Sequence, residues 1–536
     1  MQFTISYGGA LWPLLMALLS IWLMSTGVLF VYRITFHPLA RFPGPKLAAI
    51  SYANEFWFDV VRGGRYTHEV LRMHEKYGPI VRINPNELHC NDPAFVDVVY
   101  AACNQRRNKS PQYIYGYPAS LQMSTEGSLD HDHHRRRSAA MSKCFSRSSI
   151  SQIEHLVHLN AQKLCDKILA RQNSAPFAVV QAYSCFTADV ISHYCFGDSD
   201  CYLDQDDWEP NFRTLVDNFE RNLHIFRHIP GLATLVERVP LILTNLFSTE
   251  MKTIAINFKV SIPRRVRRAM DLSHVSVGKV PTILSALLSS NLPPPEKTLR
   301  RLTGEAVSLM AGGTESTSAT LVLLTFHLLS NPNHHKRLHA EISAIATDPT
   351  QLPDWKALEK LNFFSAVILE CLRLLPGVSG RSPRIATHED LIYEAKLFSS
   401  ADSLAPSLTY TIPRGFPVSI STYILHTNET IFPNAKDFVP DRWLDENGNI
   451  IRELERYLLS FSRGSRQCIG RQLALCELYI CAAAMILRVF PFLKLYQTGR
   501  IDVDYDHDEL IGKPSPRSNG VRVQVLDRSR EPEMKT

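Results

Sequence analysis

Five residues in the stretch FSRGSRQCIG are spaced as F-x-x-G-x-R-x-C-x-G: Phe461, Gly464, Arg466, Cys468 and Gly470. A chance match to that spacing anywhere in the chain is on the order of 10⁻⁴. A cysteine placed there can serve as a core residue, a redox switch, a nucleophile or a metal ligand. The surroundings fit a thiolate ligand to haem iron. Glycines let the backbone run close beneath a flat macrocycle. The stretch feeds the N-terminus of an apolar helical run, Arg471 to Phe490, whose dipole and free N–H groups favour a thiolate over a thiol. Arg466 supplies a cation for a propionate.

A second group lies in GGTEST, Gly312 to Thr317, inside a helical pattern from about Leu302 to Leu329. Two glycines inside a helix cost about 1 kcal/mol each, which points to the close approach of a ligand. The acid Glu315 and the hydroxyls of Ser316 and Thr317 sit beside them. A third group is Glu370-x-x-Arg373 in ECLR, one helical turn apart. On its own such a pair is a common surface ion pair.

In this order and spacing, the three groups resemble the cytochrome P-450 family of haem-thiolate monooxygenases. The resemblance runs from FHPLARFPGPK to the last helix, and its proline-rich entry and HRRR…FS look most like the fungal microsomal branch of secondary metabolism. It implies haem b held by the Cys468 thiolate. It implies that Glu370 and Arg373 pair with Arg442 of FVPDRW in a structural lock. It also makes GGTEST the oxygen-activation site: Gly312 and Gly313 give room to dioxygen, Glu315 is the acid, and Ser316 stands where the family usually has threonine. Ser316 lacks the methyl that fixes a threonine rotamer, so Thr317 shares the candidacy for proton delivery. For the propionates the resemblance implies Arg384 in GRSPRI and Arg137 in HDHHRRRS. Counting back from Phe145 pairs His134 with Ser138 instead, and the Arg137 assignment needs a shift of one residue.

These residues must be positioned by a mainly α fold with a minor β portion. GPIVRINPNELHC reads as strands and a hairpin. From about Asp92 to Leu374 the apolar residues fall mostly at three- and four-residue spacing, as in SISQIEHLVHLNAQKLCDKILA. Strand-like pieces return in YTIPRGFPVSISTYIL. The piece between Arg384 and Tyr410 is longer than the family's usual strand pair, and is expected close to the substrate pocket.

At the N-terminus, Met1 to Tyr32 carries no charged side chain, and Leu11 to Tyr32 is long enough to cross a hydrocarbon core of roughly 30 Å. Arg33, Arg41 and Lys46 follow, which places the downstream part in the cytosol. The expected division is 1–33 as a single-pass membrane anchor, 34–50 as a proline-rich linker and 51–536 as the catalytic domain, resident in the endoplasmic reticulum membrane. HIPGLATLVERVPLILTNLF, His228 to Phe247, reads equally as a second membrane contact or as core.

The chain has 536 residues, 45% hydrophobic, with a net charge of +6. Its Lys and Arg form no concentrated block, so no nucleic-acid partner is expected, and the runs HHRRR and IPRRVRR read as solvated faces. Eleven scattered cysteines with no C-x-x-C pair argue against a secreted disulfide framework and against a zinc site. By the resemblance, the reaction is insertion of one oxygen of O2 into an apolar small molecule, a terpenoid, polyketide or alkaloid. No flavin-binding segment follows the haem region, so NADPH acts indirectly through a separate NADPH-cytochrome P-450 reductase. The rivals are a non-oxygenating isomerase or dehydratase of the same fold and a silent haem-binding membrane protein.

Overall fold

The computed structural model describes residues 8–102, 105–240, 256–272, 282–395 and 408–527. Helix α1, Gly8–Thr35, is long and apolar enough to span a membrane, and no residue of its stretch Trp12–Thr35 is buried. The proline-rich segment after it turns back onto the protein. Leu39 and Phe42 are buried, His37 packs edge-on against Phe416, and Phe42 stacks on Tyr410.

A short helix α2, Ala53–Phe56, continues as a π turn through Trp57–Val61. Strands β1 (Ile80–Asn84) and β2 (Glu87–Cys90) form the expected hairpin. They open a five-stranded sheet with β3 (Arg107–Lys109), β4 (Arg384–Ala386) and, beyond the hairpin β5 (Leu391–Ala395)–β6 (Leu408–Ile412), β7 (Pro417–Ser419). The order is β1-β2-β7-β4-β3, with β2 and β7 parallel. The described part of the β5–β6 hairpin packs on Phe42, Phe95 and Asp92. It adds nothing to the cavity described below, contrary to the expectation from its length. Residues 396–407 lie outside the described part.

The rest is helical. The elements that matter for the site are α3 (His131–Ser142), α4 (Arg147–Leu169), α5 (Val179–Phe196), α6 (Phe212–His228), α7 (Leu299–Ser330), α8 (Pro332–Ser343), α9 (Asn362–Leu374) and α10 (Arg471–Ala484). At about 1.5 Å per residue α7 runs roughly 48 Å through the molecule. The Thr298 side chain caps its start by accepting from Arg301 N–H, and Pro332 stops it. Asn331, between the two helices, caps α8 by accepting from the amides of Asn333 and His334. Helix α10 is apolar on every side because it is enclosed. Residues 476 to 486 are all at most 4% exposed, so its hydropathy reflects core burial and not a second span.

Of HHRRR, Arg135 and Arg136 are exposed as expected, but Arg137 is buried. Arg265 of IPRRVRR is also drawn in, held by Asp198 and Asp200 and stacked over Phe196. From His228 onward only the first part of the ambiguous stretch is described. There Ile229 and Leu235 are exposed, and 241–247 lie outside the described residues. Among the described residues the ten cysteines are all free.

Candidate active site

Helices α7, α6 and α10 and the Cys468 stretch enclose a cavity of about 400 Å³. Cys468 opens into it from one side, and Gly312, Glu315 and Ser316 line it from α7.

The cysteine side is held by a chain of contacts that begins in the core. Glu370, fully buried on α9, takes two hydrogen bonds from Arg373 at 2.8 and 2.7 Å, one from Arg442 at 3.1 Å and one from Trp443 Nε1 at 2.9 Å. Arg373 also donates to the carbonyls of His426 and Ala435. His426 in turn accepts from Leu459 N–H at 2.8 Å, and Ser460 Oγ donates to the Leu372 carbonyl at 2.5 Å. Those bonds fix the start of the loop. Cys468 N–H then donates to the Phe461 carbonyl at 2.9 Å. Gly464 has a positive φ of 70°, and a Cβ there would come within 2.2 Å of the Tyr100 and Ala101 carbonyls, so only glycine fits. Burial pushes the Cys468 thiol up, while the amides of Gly470 and Arg471, at the start of α10, pull it down. A metal ion at Sγ would supply the counter-charge that the thiolate needs.

At one end of the cavity the basic groups gather: Arg384, Arg466, Lys109 and His134 all line it. Lys109 is paired with Glu126. Among the described residues the others form no ion pair with a carboxylate. Arg466 donates only to the carbonyls of Arg107, Ser128 and Leu129, and Arg384 to those of Ser382 and Pro383. Burial and the facing Arg384 lower Arg466 to about 10. Burial, then Arg466, lowers His134 to about 3. Such mutual repulsion in a buried wall suits a dianionic group, as the two propionates of haem b would be. With Cys468 and the Gly464 cradle, the residues present fit that cofactor.

Arg137 is not part of this wall. Its guanidinium is fastened to Glu296 at 2.7 and 3.0 Å and to Ser124 and Ser128. Although burial opposes it, hydrogen bonds from Arg137, His133 and Arg301 draw Glu296 down to about 2. The unshifted register, His134 with Ser138, is the one that faces the cavity. A single-residue offset turns a helical side chain by about 100°, which is why the shifted pairing points Arg137 elsewhere.

The α7 side divides its residues more finely than the sequence suggested. A Cβ on Gly312 would meet nothing within 4 Å, so this glycine leaves open space. A Cβ on Gly313, which also lines the cavity, would come within 2.8 Å of Ile191 Cγ1 on α5, so this glycine also allows the two helices to pack closely. Ser316 Oγ donates to the Gly312 carbonyl at 2.9 Å. Thr317 is buried and lines the same cavity, beside Glu477 of α10, a carboxyl that burial raises well above its ordinary range. Glu315 is buried between Arg213 (3.3 Å) and Lys513 (3.2 Å); burial raises it, but the two cations prevail and keep it ionised. Lys513 also pairs with Glu220, which is 1% exposed and lines the cavity. Apolar walls come from Phe212, Leu215, Val216 and Phe219 of α6. Lys109, Glu220, Glu477 and Lys513 carry no local sequence signal. They join the site only because distant segments meet there.

The model of the cytochrome P450 family matches residues 43–518. Over 463 residues the chain is 42% identical to cytochrome P450 monooxygenase ppzE of Metarhizium majus, covering 84% of this chain and 95% of that protein. It is 36% identical to conidiogenone synthase PchP450 of Penicillium rubens (93% and 96% covered) and 34% identical to tryptophan 6-hydroxylase fscE of Fusarium equiseti (96% and 98%). With the family model spanning most of its length and fungal monooxygenases alike along nearly all of theirs, this chain belongs to the cytochrome P450 family and is an oxidoreductase of the monooxygenase type.

Proposed function

We propose that the protein hydroxylates an apolar secondary metabolite of fungal type, using electrons passed from NADPH by a separate reductase, with α1 anchoring it in the endoplasmic reticulum membrane and residues 51–536 facing the cytosol. The observation that carries this reading is an apolar cavity with a cysteine in one wall, a basic edge, and the hydroxyl of Ser316 in the α7 wall. Haem b, when bound, would bring dioxygen binding and reduction to that cavity.

The chain's own residues then have distinct tasks. Cys468 ligates the iron; Phe461, Gly464 and Gly470 shape the loop. Arg384 and Arg466 take the propionates, with His134 and Lys109 in place of Arg137. Gly312 leaves room beside Ser316. Ser316 is the hydroxyl that serves the cavity, being the more exposed of the two and held only by the Gly312 carbonyl, whereas Thr317 is buried beside the carboxyl of Glu477. Glu315 holds its charge against Arg213 and Lys513, and delivers a proton only when it trades one of them for water. The phenyl groups and aliphatic side chains of α6 exclude bulk water and hold an apolar substrate.

The experiment is co-expression with a fungal reductase, feeding of terpenoid, polyketide and alkaloid scaffolds, and mass spectrometry for added oxygen. A carbon monoxide band near 450 nm after reduction, with NADPH-dependent oxygen uptake, is the expected result. Turnover without oxygen uptake would point instead to an isomerase or dehydratase.

A further inference from the structure

The basic end of the cavity suits the propionates, but the wall made by α6 and α7 carries the opposite charge. Glu220 of α6 and Glu315 of α7 both line the cavity. Around them stand Asp217, Glu509, Arg213 and Lys513, none of which lines it. Lys513 Nζ lies 2.8 Å from Glu220, 3.2 Å from Glu315, 3.4 Å from Asp217 and 3.6 Å from Glu509. Arg213 pairs with Asp217 at 3.1 Å and with Glu315 at 3.3 Å. Four carboxylates thus share two cations among the described residues. The two members that reach the cavity both belong to the side in excess.

Glu220 is the less satisfied of those two. Its Oε2 is buried and accepts no hydrogen bond, although Lys513 stands near it. Burial raises Glu220 to about 8, and the crowding of Glu315 and Asp217 works in the same direction against the pull of Lys513. In the empty cavity a proton therefore competes for this carboxyl near neutral pH.

A metal ion does not answer the excess. Oxygens of Asp217, Glu220 and Glu315 lie within 4.8 Å of one another, but the Lys513 ammonium already sits within 3.4 Å of all three. The approach that stays open is from the cavity, and what arrives from there is carried by the substrate. An uncharged ligand leaves the buried carboxylate short of a partner, whereas a cation supplies both charge and charge-assisted hydrogen bonds. The aromatic lining suits the same ligand. Phe219 and Tyr117, whose rings lie 6.2 Å apart, also line the cavity, and aromatic faces attract organic cations.

We propose that the cavity selects a substrate with an apolar body and one protonated nitrogen, the nitrogen binding Glu220 while the body lies against Phe212, Leu215 and Val216. The proposal rests on the monooxygenase reading and narrows it: of the terpenoid, polyketide and alkaloid scaffolds, a basic alkaloid is the one that fits.

The test compares phenylbutylguanidine, a cation at neutral pH, with phenylbutylurea, its uncharged isostere. Neither tests turnover; both are titrated calorimetrically into the full-length, haem-loaded protein in uncharged detergent. Wild type should bind the guanidine at least about tenfold more tightly than the urea. Glu220→Gln should keep the carbon monoxide band of the reduced protein and bring the two probes within about threefold of each other. Equal binding by wild type with an intact band would overturn the proposal, as would a preference that survives Glu220→Gln. If that variant fails to fold, Asp217→Asn takes its place, since its side chain is 22% exposed and touches the same cations. It should lower the preference by about threefold, and an unchanged preference there would equally overturn the proposal. Absence of the 450 nm band in wild type, by contrast, would count against the haem-thiolate reading and not against the selection of a cation.

Discussion

The two faces of the cavity are built on opposite plans. On the Cys468 side, the start of the loop is tied by neutral and charge-assisted bonds that run back to Glu370, and Arg466 is tied to three backbone carbonyls. On the α7 side, Glu315, Glu220, Arg213 and Lys513 form ion pairs whose members have more than one partner, and Ser316 is held only by a carbonyl of its own helix. The first arrangement sets one geometry permanently. The second offers partners that can be exchanged, as proton movement requires. A rigid ligand side facing an exchangeable donor side is the division that the proposed chemistry calls for.

That contrast can be broken most severely at its rigid end. Cys468→Ser should abolish product formation and the 450 nm band, read by the reduced carbon monoxide spectrum. Glu370→Gln should come next. Arg373 and Arg442 would lose their shared anion in a buried site, a cost of about 3–5 kcal/mol, visible in denaturant unfolding and as loss of haem.

At the exchangeable end the effects should be kinetic. Ser316→Ala should lower product formed per NADPH by about 10²-fold with little change in stability. Thr317→Ala should do the reverse. It would remove a buried hydroxyl beside Glu477, costing about 1–3 kcal/mol, while turnover falls by less than about tenfold. If the two variants exchanged phenotypes, Thr317 and not Ser316 would be the serving hydroxyl. The smallest effect should come from Glu296. Its pKa is depressed from 4.5 to about 2 by Arg137, His133 and Arg301 against its own burial. A depressed acid stabilises the fold above its unfolded pKa and loses that contribution as pH falls. The stability gap between wild type and Glu296→Gln should therefore be full above about pH 4.5 and shrink from there towards pH 2, measured by unfolding at stepped pH.

The legible part of the site was the part made of neighbours in sequence. FSRGSRQCIG and Glu370-x-x-Arg373 each lie within one local element, so spacing alone carries their geometry. Gly313 looked like part of the same signal as Gly312. That Gly313 also meets Ile191 while Gly312 meets nothing depends on where α5 packs, and no local pattern reports that. Arg137 failed for a related reason. Its guanidinium follows Glu296, a residue 159 positions away, and a run of five basic residues gives no sign of which one will be drawn inward.

By itself the sequence determined the elements, the apolar first helix, the cysteine loop and the family, because helical periodicity, turn chemistry and a rare residue spacing are short-range properties. Only the tertiary structure decided which cations line the cavity and that Glu315 is locked by Lys513 from 198 residues away. Electrostatic partners are chosen by distance in space, and in a chain with long-range packing that distance is not written in the order of its residues.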